Sequence, residues 1–164
     1  MQVEEMLDEQ EYLLKRGLAC AGRGQRRLAP PLGPEDRSWI TRSLVDGALY
    51  VEPRVEILLE VGLHGWVHAE QRAERGRATI QVVERARWQS ARLAEPGELE
   101  RSETEALSDA FERSAAALRS AGYFGPFGID AFRYRHEGAV RFHPLSELNA
   151  RYSMGWAIGM GGLR

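Results

Sequence analysis

Cysteine, lysine and long apolar segments are all scarce in this 164-residue chain. Its one cysteine, Cys20, cannot form a disulfide within the chain. No stretch resembles a signal peptide or the run of about 18 apolar residues that a membrane-spanning helix needs. We therefore predict a protein of the reducing cytoplasm that has no membrane partner.

The chain also lacks a strong excess of charge of either sign. Its formal net charge is −2, which gives no general attraction to nucleic acid. With 43% hydrophobic and 28% charged residues, the composition is that of an ordinary soluble globular unit with a real core. We predict no nucleic-acid partner, so any anion site must be local and its ligand small.

Lys15 is the only lysine, and every other basic residue apart from histidine is an arginine. It follows the apolar run Tyr12–Leu14 and precedes the glycine-rich stretch 17–27. A compact ammonium beside a loop that can turn its backbone N–H groups towards an anion indicates a nucleotide-phosphate site. The alternative is that the loop is a simple turn and that Arg26 and Arg27 form the solvated side of a strand.

The distribution of apolar residues and turn signals predicts an α+β chain made of two small layers. A helix with a capping box at Ser102–Glu105 should run to a stop at Gly122. The other predicted elements are a helix at Glu35–Val45, a short helix within Ser153–Gly162, and strands at Tyr12–Lys15, Leu49–Glu52, Val55–Gly62, Gly65–Glu70, Ala78–Glu84, Gly128–Arg135 and Ala139–Asn149.

Oxygen-bearing side chains are concentrated on the last two predicted strands. Glu147 and Asn149 are two apart, so they project from the same face of a strand. The turn at His136–Gly138 makes the two strands hairpin partners and brings Asp130 near Glu147 across the ladder. Two such carboxylates would repel each other, and Mg²⁺ between them and a phosphate would remove that cost.

Simpler interpretations exist for each of these features. Alternating polar residues are typical of a solvated sheet face. The four tryptophans are more typical of core or interface packing than of a stacking platform, because no basic stripe accompanies them. The four histidines lack the spacing of a zinc site: His64 and His68 suit one only on a helix, and nearby glycines argue against that helix.

Taken together, the motifs resemble those of the ATP-grasp superfamily of ATP-dependent carboxylate ligases, with biotin carboxylase and the D-alanine ligases as relatives. The order and intervals of five segments carry the resemblance: Leu13-Leu14-Lys15, Ala21-Gly22-Arg23-Gly24-Gln25-Arg26-Arg27, Tyr50-Val51-Glu52-Pro53-Arg54-Val55, Gly128-Ile129-Asp130 and Glu147-Leu148-Asn149-Ala150-Arg151. The resemblance implies a partial ATP-grasp fold, with a lid subdomain at 1–51 and a C-terminal nucleotide and metal subdomain at 52–164.

The resemblance also implies roles for individual residues. Lys15 matches the lysine that reaches the nucleotide phosphates, and it shares a catalytic role with Arg151, which matches the arginine that steadies the transferred phosphoryl group or acyl phosphate. Asp130 and Glu147 match the acidic Mg²⁺ ligands, and Asn149 matches the neutral ligand. The implied ATP-binding residues are those of the phosphate lysine, the glycine loop and the adenine hinge: Lys15, Gly22, Arg23, Gly24, Gln25, Glu52 and Val55.

The implied function is an ATP-binding module of a carboxylate–amine or carboxylate–thiol ligase that acts through an acyl phosphate. Its cofactors would be ATP and Mg²⁺, with Mn²⁺ as a substitute, and its other partners a small carboxylate substrate and a nucleophilic acceptor. Only about a dozen residues precede Lys15, so the resemblance predicts that an N-terminal substrate domain is absent and that a separate N-terminal half supplies it. The alternatives are a non-catalytic nucleotide-binding or interaction module and a truncated fragment.

Overall fold

A computed structural model describes residues 11–17, 24–84 and 87–161. The chain divides into two compact units, residues 1–55 and residues 56–164, called here the first and second units. Gly22 and Arg23, two predicted ATP-binding residues, lie outside the described residues, as does Cys20. In the described part of the chain, no helix is long and apolar enough to cross a membrane.

The first unit, where described, contains three antiparallel strands in the order β2-β1-β3 and one helix. Their bounds are β1 Tyr12–Arg16, β2 Gln25–Leu28, α1 Pro34–Asp46 and β3 Leu49–Pro53. Alternation along β1 buries Tyr12 and Leu14, which pack with Leu28, Leu32 and Ile40 in a small apolar core. Lys15, which lies between Leu14 and Arg16 on β1, therefore projects from the face of the strand opposite this core.

The second unit, where described, contains a larger antiparallel sheet in the order β7-β6-β4-β8-β9, and the short strand β5 also pairs with β4. Its strands are β4 Glu56–Val67, β5 Glu74–Arg75, β6 Thr79–Glu84, β7 Arg87–Leu93, β8 Gly125–His136 and β9 Ala139–Asn149. Its helices are α2 Arg101–Ser120 and α3 Trp156–Met160. Helices and antiparallel sheets in both units confirm the predicted α+β class.

Helix α2 covers one face of this sheet and forms the main core with it. Its apolar stripe includes Leu107 and Phe111, and the Phe111 ring stacks on Phe127 of β8 with centroids 4.7 Å apart. Val61 of β4 and Ile129 of β8 are fully buried in the same cluster. Because side chains alternate along a strand, Asp130 and the even-numbered residues of β4 from Glu60 to Trp66 project from the opposite face.

Two predictions about this unit were wrong. The separate strand predicted at Gly65–Glu70 does not exist, because β4 continues without a break from Glu56 to Val67. The capping box predicted at Ser102–Glu105 is also misplaced, since α2 begins at Arg101 and the Glu103 carboxylate accepts a hydrogen bond from the backbone N–H of Glu100. Strand β7 was not predicted at all.

Candidate functional site

The carboxylate pair predicted on the last hairpin lies as expected on adjacent strands. Asp130 of β8 is directly opposite Glu147 of β9, and Gly128 is directly opposite Asn149. Directly opposed residues project from the same face of a sheet. Asp130, Glu147 and Asn149 therefore share the face that α2 leaves uncovered.

A bulge in β9 produces this alignment. The hairpin closes through the tight turn Glu137-Gly138, both with positive φ (50° and 76°), and Phe132 then pairs with His143. A register counted straight from the turn would put Leu145 opposite Asp130. Instead the register shifts between these pairs, and Glu147 takes that position.

Two neutral amides hold the Asp130 carboxylate. Nδ2 of Asn149 donates to Oδ2 at 3.0 Å, and Nε2 of Gln81 donates to Oδ1 at 2.7 Å. Asn149 is buried, whereas Asp130 is partly exposed and Glu147 is exposed. The carboxylate is therefore fixed in orientation by donors on both sides while remaining accessible.

Gln81 was not predicted as a site residue, although it lies on a predicted strand. It is on β6, and β4 lies between β6 and β8. Its side chain reaches Asp130 across β4 at Gly62, which pairs with Asp130 on one side and with Thr79 on the other. A Cβ atom at position 62 would lie 2.7 Å from Nε2 of Gln81, so a glycine is needed for this approach.

Glu60 adds a third carboxylate to the same face. It lies opposite Gln81 on the β6 side and opposite Phe132 on the β8 side. Burial, and secondarily the negative charge of Asp130, raise the pKa of Glu60 above its ordinary value. The alternation of Glu60, Gly62 and His64 along β4 was the signal that could have located this residue.

His64 lies on the same face and is almost completely buried. Its Nε2 is 3.2 Å from the carbonyl oxygen of Met154, which fixes the segment that follows Asn149 and Arg151 to β4. Burial lowers the pKa of His64, although the nearby Asp130 charge and the Met154 hydrogen bond act in the opposite direction. The ring fits because the surrounding positions are glycines: Gly62, Gly128, Gly155 and Gly159.

The donor chemistry of this face suits a hard divalent cation. Asp130, Glu147 and the side-chain oxygen of Asn149 are ligands of the type that Mg²⁺ prefers, and the Asn149 amide nitrogen is already engaged with Asp130. Within residues 11–17, 24–84 and 87–161, the structure does not bring three or more His, Cys, Asp or Glu side chains together in a group that could hold a metal ion. The candidate donor set is smaller in carboxylates and includes an amide: it consists of Asp130, Glu147 and Asn149.

The predicted arginine and lysine are in different units. Arg151 follows β9 in the second unit and is exposed, and its Nη1 donates to the carbonyl oxygen of Tyr152 at 3.3 Å. Lys15 is in the first unit, where its Nζ lies 2.6 Å from Oε2 of Glu52. The predicted phosphate lysine and the predicted hinge glutamate thus form an ion pair with each other.

Three other predicted ATP-binding residues of the first unit are close to Lys15 or to Glu52 along the chain or across the sheet. Gln25 begins β2 and is the direct cross-strand partner of Lys15, and Gly24 precedes it with a positive φ of 75°. Val55 follows β3, on which Glu52 lies. The assignment of all these residues to a nucleotide site stays a prediction.

No family model and no curated protein matches this sequence. Solved structures do match. Carboxyaminoimidazole ribonucleotide synthase from Aspergillus clavatus, complexed with ATP, has 18% identity and a TM-score of 0.60 over 92% of this chain and 36% of that chain. N5-carboxyaminoimidazole synthetase from Staphylococcus aureus, complexed with ADP, has 14% identity and a TM-score of 0.61 over 88% and 35%.

D-alanyl-alanine synthetase A from Vibrio cholerae is also similar, with 12% identity and a TM-score of 0.66 over 94% of this chain and 47% of that chain. The chain thus spans between about a third and a half of the length of these structures. All three are ATP-grasp enzymes. The identities are low, so the likeness concerns the fold: this chain has part of the ATP-grasp fold, as its motifs predicted.

Proposed function

We propose that this chain is an ATP- and magnesium-binding module of a carboxylate–amine or carboxylate–thiol ligase that acts through an acyl phosphate. The observation that carries the proposal is the direct opposition of Asp130 and Glu147 beside Asn149. This triplet is on a fold that this chain shares with enzymes solved in complex with ATP or ADP. Neither the fold nor the triplet alone would identify the chemistry.

Asp130, Glu147 and Asn149 are the residues that would hold the metal. When bound, Mg²⁺ supplies positive charge that offsets the charge on the phosphate oxygens during phosphoryl transfer. Asn149 and Gln81 keep the Asp130 carboxylate in one orientation through their amide hydrogen bonds. Losing either carboxylate should therefore reduce ligand binding far more than it reduces stability.

The proposed role of the two basic residues is to bind phosphate oxygens. Arg151 is exposed and lies two residues beyond Asn149, the last residue of β9, so its guanidinium is accessible for an anion. Lys15 would exchange its ion pair with Glu52 for a phosphate, and Glu52 with Val55 would receive the adenine. The glycine loop that includes Gly22 and Arg23 would cover the phosphates.

The carboxylate substrate and the nucleophilic acceptor belong to the complete ligase. The chain spans only part of the similar structures, so we propose that the substrate-binding part is supplied by a separate N-terminal half. Cytoplasmic location is part of the same proposal. Adding a polypeptide with that missing portion should produce ATP-dependent hydroxamate when hydroxylamine is used to trap the acyl phosphate.

Thermal unfolding tests the module by itself. Mg²⁺–ATP should raise the melting temperature of the chain, because a ligand that binds only the folded state stabilises it. Asp130→Asn combined with Glu147→Gln should abolish the part of the shift that depends on Mg²⁺. Asp109→Asn combined with Glu70→Gln is the matched control, because both of these carboxylates are exposed. Equal shifts in the two double variants would contradict the metal site.

The ion pair between Lys15 and Glu52 favours a second candidate, a non-catalytic nucleotide-binding or interaction module. In this pair, the cation proposed for phosphate already has a carboxylate at 2.6 Å. Such a module would show the Mg²⁺–ATP shift but would form no hydroxamate after the missing portion is added. The trapping experiment therefore separates the two candidates.

A further inference from the structure

We infer that Gln81 is a positioning residue for the proposed metal site. Its side chain orients Asp130 by crossing β4 over Gly62, which has no side chain to block it. The inference rests on the proposed function, because it concerns the same cation site. It adds a supporting residue from β6 to a site whose proposed ligands come from β8 and β9. It also gives Gly62 a defined role.

The path of the Gln81 side chain supports this role. Gln81 and Asp130 are separated by a whole strand, yet Nε2 and Oδ1 are 2.7 Å apart. The side chain passes over Gly62, where an added Cβ atom would lie 2.7 Å from Nε2. Any other residue at position 62 would force one of the two to move. The hydrogen bond between Gln81 and Asp130 therefore depends on position 81 of β6 and on position 62 of β4.

The hydrogen bonds to Asp130 also restrict the orientation of its carboxylate. Each oxygen of Asp130 accepts one amide hydrogen, from Gln81 at Oδ1 and from Asn149 at Oδ2. A carboxylate has about four acceptor positions, so each oxygen keeps one for a cation. Rotation of the group would break both bonds. The two amides consequently select one orientation and leave the same lone pairs available.

The donor group of Gln81 carries no charge. An arginine or lysine at position 81 would also hold Asp130, but it would offset the negative charge that attracts a cation. A glutamine amide is neutral, so it orients the carboxylate and leaves its charge intact. Hydrogen-bonding partners of this kind are part of a metal site, and losing one typically weakens metal binding about 10–100-fold.

Direct titration with Mn²⁺ alone, with free Mn²⁺ measured by electron paramagnetic resonance, tests the inference without any catalytic readout. Gln81→Met keeps the length of the side chain and removes its donor. We expect the dissociation constant for Mn²⁺ to rise about 10-fold, with little change in melting temperature. Gln71→Met, at an exposed position, is the matched control and should bind Mn²⁺ like the wild type.

Gly62→Ala tests, without changing position 81, whether the absence of a side chain at Gly62 is needed for the Gln81–Asp130 hydrogen bond. The new methyl group should displace the Gln81 amide and weaken Mn²⁺ binding to a similar extent. It also approaches Thr79 and His64, so folding must be checked by circular dichroism. In the double variant with Gln81→Met, the two losses should not add, because both act through the same hydrogen bond. Additive losses would overturn the role assigned to Gly62.

The outcomes separate this inference from the proposed function. If Gln81→Met binds Mn²⁺ within twofold of the wild type while Asp130→Asn abolishes binding, the positioning role is wrong and the metal site stands. If the folded wild type does not bind Mn²⁺ at all, the metal site and the role of Gln81 are both wrong. A 10-fold loss confined to variants at positions 81 and 62, relative to Gln71→Met, supports the inference.

Discussion

The two faces of the sheet in the second unit differ in the groups that hydrogen-bond to their carboxylates. On the α2 face, Arg133 of β8 holds Glu103 through two hydrogen bonds, Nε to Oε1 at 2.7 Å and Nη2 to Oε2 at 2.5 Å. On the other face, Asp130 of the same strand is held by two neutral amides. One carboxylate therefore has its charge matched by a cation, and the other has only its geometry fixed.

The pKa directions on the two faces agree with this difference. Hydrogen bonds from Arg133 lower the pKa of Glu103 more than its burial raises it. Burial followed by the charge of Asp130 raises the pKa of Glu60 on the opposite face. Negative charge is thus stabilised where it ties α2 to the sheet and is left costly where a cation is proposed to bind. That contrast supports the proposed cation site.

The largest expected effect on stability comes from breaking the ion pair between Arg133 and Glu103. Arg133→Met should leave the buried Glu103 carboxylate without its cation and lower the free energy of unfolding by about 3–5 kcal/mol at neutral pH. Urea denaturation measures this change. Arg135→Met is the matched control, because its pair with Glu56 is exposed and should contribute at most about 1 kcal/mol. Similar losses in both variants would remove the distinction between structural and surface pairs.

Lowering the pH should remove the contribution of the Arg133–Glu103 pair to the stability of the wild type. Because the folded-state pKa of Glu103 is lowered, its contribution to stability is present above its ordinary pKa of 4.5 and is lost as the pH falls through the folded-state value. The difference in unfolding free energy between the wild type and Arg133→Met should therefore shrink in that acid range. A constant difference across this range would mean that Glu103 does not carry it.

Asp130→Asn should have a much smaller effect on stability. It removes a charge that has no cationic partner in these hydrogen bonds, and a facing amide can turn over to present its oxygen instead. We expect the free energy of unfolding to change by no more than about 1 kcal/mol. The same variant should lose the Mg²⁺-dependent thermal shift. A loss of stability as large as that of Arg133→Met would make Asp130 a structural residue.

Glu60→Gln should raise stability slightly at neutral pH. A raised pKa means that the folded state binds the proton more tightly than the unfolded state, so the wild type loses stability as the pH rises through the folded-state value. The advantage of the variant should fade below pH 4.5, where the carboxyl group is protonated in both states. Chemical denaturation at several pH values tests the sign, and an advantage that grows in acid would contradict it.

The smallest effect is expected in the first unit, where the ammonium of Lys15 and the carboxylate of Glu52 are both partly exposed. Lys15→Met should change the free energy of unfolding by less than about 1 kcal/mol. Leu14→Ala, on the buried face of the same strand, should cost about 2–5 kcal/mol in the same assay and calibrates it. A large loss in Lys15→Met would give the ion pair a structural role.

Much of the hairpin that carries the candidate site could be predicted from the sequence. The Glu137-Gly138 turn has a clear signal, and β8 and β9 follow from it. The amphipathic stripe of α2 was equally clear. Both features depend on residues close together in sequence, which is where pattern and turn chemistry are informative.

The glycines of β4 show why the rest was less accessible. Gly62 and Gly65 were interpreted as strand ends, but the structure uses both inside one long strand. Gly62 leaves space for Gln81, and Gly65 leaves space for the Phe111 ring. A glycine in the sequence shows that a side chain is absent, but it does not show which distant residue fills the space. The hydrogen bond between Gln81 and Asp130 was missed for the same reason.

The bulge in β9 keeps Glu147 and Asn149 on the same face of the sheet as Asp130. Three residues, 144–146, lie between the pairs formed by His143 and Glu147, whereas β8 has only Ala131 between the corresponding positions. Removing two of the three would restore an even ladder with Glu147 still opposite Asp130. Removing or adding one would turn Glu147 and Asn149 towards the opposite side of the sheet unless a one-residue bulge took up the change.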